Sequence, residues 1–274
     1  RPANAFTSQP YQGVNIVSLW AAASIREFTS GHWATFRQWQ GLGAQVRKGE
    51  KGSPIVFYKR YVAGEQNGAA SDNADERDSN VRWFARTSWV FNASQVDDWS
   101  PPEPAKRSEV EVLAHAETFV ECTGAVIRHG GESACYRSLS DVIEMPDRDM
   151  FKGTATSGAT ESYYAVLFHE LTHWTGHPSR LDRQLANRFG DAAYAMEELI
   201  AELGASFLCA DNAIANEPRP DHACYIANWL EVLKNDKRAI FTAARQASDA
   251  GAYLTSLQTS DAKRPAAAVA GGLS

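Results

Sequence analysis

The chain has 274 residues, of which 44% are hydrophobic, 22% charged and 11% aromatic, and its formal net charge is −6. That length and composition suit one large or two small globular domains and exclude fibrous and fully disordered classes. No window approaches 18 uninterrupted apolar residues, which excludes a transmembrane helix and, with it, a membrane partner.

No N-terminal stretch carries the basic start, apolar middle and small-residue cleavage site of a secretory signal. The chain opens at Arg1 rather than Met, which leaves room for a preceding piece. Cys122, Cys135, Cys209 and Cys224 form no C-x-x-C pair. They read as reduced thiols of a cytoplasmic protein, neither a disulfide frame nor a sulfur metal site. Charge is unevenly spread: residues 1–60 hold eight Lys/Arg against two acids, a balance of +6, and the remainder carries −12. A basic head on an acidic body suggests two functional halves.

In chain order, Val14 to Thr29 reads as a helix with an apolar face from Val17, Trp20 and Ile25. Trp33 to Gln40 continues helical, with Trp33, Phe36 and Trp39 near helical spacing, until Gly41-Leu42-Gly43 stops it. Ala44–Lys48, a turn at Gly49–Gly52 and Pro54–Tyr61 read as a β-hairpin with a basic tip. Residues 62–80 are small, polar and acidic and read as a mobile loop; Val81–Asn92 is a strand expected to pair with Pro54–Tyr61. Residues 93–107, with three prolines in four positions, read as a linker.

Ser108 caps a helix running to about Cys122, with Glu111 as its capping-box partner. Ala125–His129 and Ala134–Met145 are expected strands. Long helices are expected over Thr160–Trp174, Ala192–Cys209, Asp221–Leu233 and Ala239–Leu257, and 261–274 reads as a flexible tail.

The chemical centre is His169-Glu170-Leu171-Thr172-His173, an H-E-x-x-H inside a helical pattern. Side chains at i and i+4 lie one above the other, so both imidazoles can reach one Zn²⁺, and Glu170 sits where it can take a proton from a bound water. Other divalent metals suit the same ligands. A third protein ligand is needed. His177 stands four residues past His173, but Gly176 and Pro178 should break the helix first. Glu198 and Glu202 share a face of the next long helix, 25 and 29 residues past His173, while Glu197 is expected to point away. Glu198 is the expected ligand, Glu202 the expected acceptor that fixes an imidazole, and the two could exchange roles. Tyr163, Tyr164, Tyr194 and His177 are all candidates for stabilising a transition state, and the sequence does not choose among them.

The basic head interleaves cations with rings: Arg37 and Trp39, then Arg47, Lys48 and Lys51, then Tyr58, Lys59 and Arg60. Single-stranded nucleic acid needs both kinds of group, although rings at helical spacing equally suit a core and a basic turn can be merely solvated.

The segments Asn4–Asn15, Gln45–Ile55, Tyr164–His177 and Glu197–Cys209 resemble the plasmid antirestriction family of ArdC and the N-terminal regions of conjugative-plasmid primases. The resemblance covers nearly the whole chain, which begins about where that family's first helix would end. It implies an α+β protein: a small α/β domain at 1–92 that binds single-stranded DNA, then a mostly helical zincin-like metallopeptidase domain at 108–260 with a short sheet. It also implies protection of plasmid DNA from restriction during conjugation, with the peptide or protein substrate unnamed. Two other readings remain: a DNA-coating or scaffold protein whose metal is structural, and a metallopeptidase whose basic head grips an acidic protein.

Overall fold

The computed structural model describes residues 1–62, 81–101, 108–153, 158–183, 192–214 and 238–258, with the backbone alone at 58–62, 81–84, 109 and 192. The chain divides into two compact units, Arg1–Glu103 and Pro104–Ser274.

The first unit is built on a four-stranded sheet in the order β1-β2-β5-β4. Its strands are β1 (Ala3–Asn4), β2 (His32–Ala34), β4 (Ser53–Val62) and β5 (Val81–Asn92). The long strands pair antiparallel from Ser53↔Val90 to Val62↔Val81, as expected. Helix α1 (Val14–Ile25) lies along β4. The amide of Asn15 bonds both the C=O and the N–H of Val56, and Ser18 donates to the Pro54 carbonyl. These side chains occupy backbone groups of a strand at the sheet edge, which would otherwise invite another strand. The helix stops short of the expected Thr29 because Glu27 turns left-handed at φ 54 and the Phe28 amide closes back on the Ala23 carbonyl.

The helix expected from Trp33 starts later. Trp33 belongs to β2, and α2 (Phe36–Gly41) begins after Thr35, whose hydroxyl accepts from the Gln38 amide while Gln38 accepts from the Thr35 amide. A local capping box sets this boundary, not the aromatic spacing.

The expected hairpin does not form. Strand β3 (Gln45–Val46) pairs antiparallel with β6 (Val96–Asp97). The turn between β3 and β4 is tied to Gln95, whose amide donates to Glu50 and to the Lys51 carbonyl. Residues 93–101, assigned by the sequence to a connection, are therefore built into the first unit. Trp99 packs edge-on to Trp39 at 5.0 Å. Of the expected linker, residues 102–107 lie outside the described residues.

The second unit opens with α3 (Glu109–Glu121), capped by Ser108 and Glu111 as anticipated. A three-stranded sheet follows, ordered β7-β9-β8, from β7 (Val126–His129), β8 (Cys135–Arg137) and β9 (Val142–Met145). Strand β7 runs parallel to β9 and β8 antiparallel. The single strand expected over 134–145 is thus two, separated by a turn in which Asp141 takes φ 52. Helices α4 (Ala159–Thr175), α5 (Ala192–Asp211) and α6 (Ala239–Leu257) complete the unit. Phe119, Ile143, Met145, Leu167, Phe168, Leu171, Leu208 and Leu254 share one buried core. The expected helix at 221–233 and the tail lie outside the described residues.

The fold is α+β, with a mostly helical second unit, as the sequence led us to expect. Contact between α4 and α5 is very close at Gly204, where a Cβ would lie 2.5 Å from both Cγ2 and Oγ1 of Thr172. That spacing brings the acidic stretch of α5 against the histidines of α4.

Candidate metal centre

His169 and His173 stand one turn apart on α4, and their Nε2 atoms lie 3.1 Å from each other. Glu198, on α5, approaches both: Oε2 is 3.6 Å from His169 Nε2 and Oε1 is 3.6 Å from His173 Nε2. Three ligands at zinc's ordinary bond lengths of about 2.0–2.1 Å in a tetrahedron stand about 3.3 Å apart. Glu198 meets each imidazole with a different oxygen, and one donor atom from each of the three residues lies within 4.8 Å of the others, wider than that value but close enough for the three to converge on one ion. Among the described residues, this trio is the cluster able to hold an ion.

The outward nitrogens are also partnered. His169 Nδ1 faces Glu202 Oε1 at 3.5 Å, and His173 Nδ1 lies 3.1 Å from Glu197 Oε1. Glu202 thus stands beside the ring nitrogen of His169 that is turned from Glu198. Glu197 does not point away. It is buried, and Arg183 donates to both of its oxygens at 2.9 and 3.1 Å. The same guanidinium donates to Thr175 Oγ1 and to the Thr172 carbonyl, tying the loop after α4 to both helices. Sequence reasoning missed Glu197 and Arg183. The available signal was the adjacent pair Glu197-Glu198, because neighbours on a helix differ by about 100° and can each serve one histidine.

Burial and charge pull on His169 in opposite senses. Burial lowers its pKa, but the bond to Glu198 and the charges of Glu170 and Glu202 win, pushing it up to about 9. For Glu198, burial raises the pKa and the two histidines outweigh it, holding the carboxyl below its usual range. Glu197 is likewise held low, against burial, by His173 and Arg183. Without a metal, this site favours a positive charge between the carboxylates.

His177 does not join the site. The helix ends at Gly176, and the imidazole turns back to Ser179, Nδ1 to Oγ 2.8 Å. Tyr163 is taken by His129 at 2.9 Å, and burial and Glu117 raise the pKa of Tyr164. Tyr194 instead bonds Glu198 and lines the metal cleft. That cleft, of about 300 Å³, is walled by Cys135, Tyr136 and Ser138 on one side and by His169, Glu170 and His173 on the other. Strand β8, at the edge of its sheet, supplies the first wall.

The candidate nucleic-acid residues fare unequally. Trp39 is fully buried and donates its indole N–H to the Phe91 carbonyl. It is core, not a stacking platform, because the α2 face that carries it packs inward. Arg47 is paired with Glu50 and Asp97 and donates to Ser94. Arg37, Lys48 and Lys51 are exposed. Tyr58, Lys59 and Arg60 lie in β4, with side chains outside the described residues.

Comparison with known proteins places this geometry. Residues 1–91 match the family described as the N-terminal domain of anti-restriction factor ArdC, and residues 114–246 match the zincin-like metallopeptidases. An uncharacterized protein, y4eC, of Sinorhizobium fredii is 47% identical over 96% of this chain and 83% of its own length. A DNA primase TraC of Escherichia coli is 38% identical over 90% of this chain, which spans only 23% of that primase. The crystal structure of the antirestriction ArdC protein from the R388 plasmid, in metal-free form, superposes with a TM-score of 0.71 at 36% identity, covering 94% of this chain and 89% of that one. Its Mn(II)-bound form gives 0.70 at 35% identity, covering 94% and 88%. The chain belongs to the ArdC antirestriction family, with an ArdC-type N-terminal domain followed by a zincin-like domain.

Proposed function

We propose that the protein protects incoming plasmid DNA from restriction during conjugation by binding single-stranded DNA through its first unit and hydrolysing peptide bonds at a zinc site in its second. The observation that carries the peptidase reading is the convergence of His169, His173 and Glu198 in a cleft that Glu170 also lines. A structural zinc is enclosed by four protein ligands; three ligands and an open cleft favour a catalytic one. The Mn(II)-bound relative supports a divalent metal at such a site, with manganese as an alternative to zinc.

A bound zinc would supply Lewis acidity and lower the pKa of its water. His169, His173 and Glu198 would hold the ion, and the carboxylates on the far nitrogens would keep the rings oriented. Glu170 would accept the water's proton and deliver it to the departing amine. The backbone of β8, at the sheet edge, would align an extended peptide across the cleft by strand addition. For the first unit, support comes from the ArdC-type match and the +6 balance of residues 1–60. Cys122 and Cys135 are free thiols, consistent with action in the cytoplasm. Among the described residues, no helix is long and apolar enough to cross a membrane.

The test loads the protein with zinc and incubates it with a quenched-peptide library and with casein, beside Glu170→Gln. Cleavage by the parent and none by the variant, at equal metal content, is expected. Equal cleavage by both defeats the assignment. If neither cleaves anything while both bind single-stranded DNA, the DNA-coating reading replaces it.

A further inference from the structure

We infer that single-stranded DNA lies along the Trp89 side of the first unit's sheet, its bases stacking on Trp89 and on the exposed edge of Phe36. This rests on the reading of that unit as a single-strand-binding domain and adds where the strand sits.

Strand alternation separates the two faces. Ser53, Ile55, Val90 and Asn92 point to one side and are at most 1% exposed. Gly52, Pro54, Trp89 and Phe91 occupy the other. There Trp89 is 58% exposed, opposite Pro54 across the strands. A Cβ on Gly52 would lie 3.1 Å from Trp89 Cβ and 3.4 Å from the Phe91 ring, so the glycine leaves both rings uncrowded. Phe36, 41% exposed, meets Phe91 edge-on with centroids 6.3 Å apart. Phe91 is itself partly buried against the core of Ala34, Trp39, Ala44, Val46 and Val96, so it anchors Phe36 and leaves Trp89 and Phe36 as the two exposed rings. Two exposed rings on adjoining elements mark a binding surface where a single exposed ring would not.

The flanking charges indicate the partner. Arg37 follows Phe36, Lys51 precedes Gly52, and Lys48 belongs to the same turn; all three are exposed. Among the described residues, none of the three forms an ion pair. The acid of that turn, Glu50, is bound by Arg47 and Gln95. Exposed rings with unpaired cations nearby in the chain, Arg37 beside Phe36 and Lys48 and Lys51 in the turn before β4, match the alternating bases and phosphates of a single strand. A duplex hides its base faces, and an acidic peptide has no rings to stack on a tryptophan as every base does.

The test measures anisotropy of a fluorescein-labelled oligo(dT) with the full chain, Trp89→Ala, Trp89→Phe and Lys51→Ala over a salt series. Trp89→Ala should weaken binding about tenfold with an unchanged salt slope, because stacking releases no counter-ions, and Trp89→Phe should keep most of the affinity. Lys51→Ala should lower the log–log slope by about 0.7. If the parent binds oligo(dT) and Trp89→Ala binds equally well, the strand lies elsewhere and this inference fails while the domain reading stands. If the parent binds no oligonucleotide, the domain reading itself fails. Should Trp89→Ala not fold, quenching of parent fluorescence by oligo(dT) decides: quenching absent in Trp89→Phe supports the placement, and equal quenching overturns it. Trp89-dependent capture of poly-glutamate in preference to oligo(dT) would also overturn it.

Discussion

Nδ1 of His173 lies 3.1 Å from Oε1 of Glu197, the residue immediately before the expected ligand Glu198. In the proposed metal site that contact would orient the ring with Nε2 toward the ion and raise its basicity. Glu197→Gln keeps the shape but removes the charge, leaving the buried Arg183 guanidinium without its carboxylate. Metal affinity should fall roughly 10–100-fold. Stability should fall by about 3 kcal/mol, the cost of stranding one partner of a buried pair. Chelator competition and denaturant unfolding check the two effects, and unchanged affinity would refute the orienting role.

Glu170 is buried in the cleft wall yet, among the described residues, belongs to no metal-ligand cluster. Glu170→Gln should therefore leave metal content and thermal midpoint near parental values while reducing peptide hydrolysis by at least about a hundredfold. Calorimetric metal titration beside a fluorogenic assay separates binding from proton transfer. A variant that has lost its metal would mean that Glu170 holds the ion instead.

The raised pKa of His169 gives the metal-free protein a particular pH dependence. Because the folded value stands above the unfolded one, its contribution is fully present below about pH 6.5 and is lost as pH rises toward about 9. Glu198 acts oppositely: its folded pKa is depressed, so its contribution is present above the ordinary carboxylate range and is lost as pH falls through the folded value. In chelator, the thermal midpoint should decline from pH 6.5 to 9, and saturating zinc should flatten that decline by replacing the proton with the ion. A flat metal-free profile over that interval would show that the imidazole carries no extra proton.

The HExxH helix was legible because both histidines and their helix come from one stretch of chain, where a spacing of four sets them side by side. Glu198 was legible for a similar reason, since an acid flanked by Leu199, Ile200 and Ala201 on a long helix is seldom a solvated one. Glu197 was misread because a single helix wheel hides that two neighbouring positions can face two different histidines. In the first unit, the β3–β6 pairing escaped notice because it joins residues about fifty positions apart, and no local turn signal competes with Gly49–Gly52 for a hairpin. Trp39, a candidate stacking ring by its spacing, is core. Spacing alone cannot say which face of a short helix packs inward once a capping threonine has moved its start.

Gly204 supplies the last prediction. Alanine is ordinarily the better helix former by about 1 kcal/mol, so on propensity alone Gly204→Ala should stabilise α5. Here the new methyl would lie 2.5 Å from Cγ2 and Oγ1 of Thr172, a buried side chain whose hydroxyl is already donated to the Phe168 carbonyl. Thr172 has little room to yield, so α4 and α5 must part. We expect a net destabilisation of about 1–3 kcal/mol, the usual cost of overpacking. Because Glu198 reaches the histidines across this same helix pair, the metal site should loosen with it, and zinc affinity should fall in parallel. Pairing Gly204→Ala with Thr172→Ser, which removes Cγ2 but keeps the hydroxyl, should recover part of both losses. A stabilised Gly204→Ala protein with parental zinc affinity would mean that helix separation does not govern the reach of Glu198.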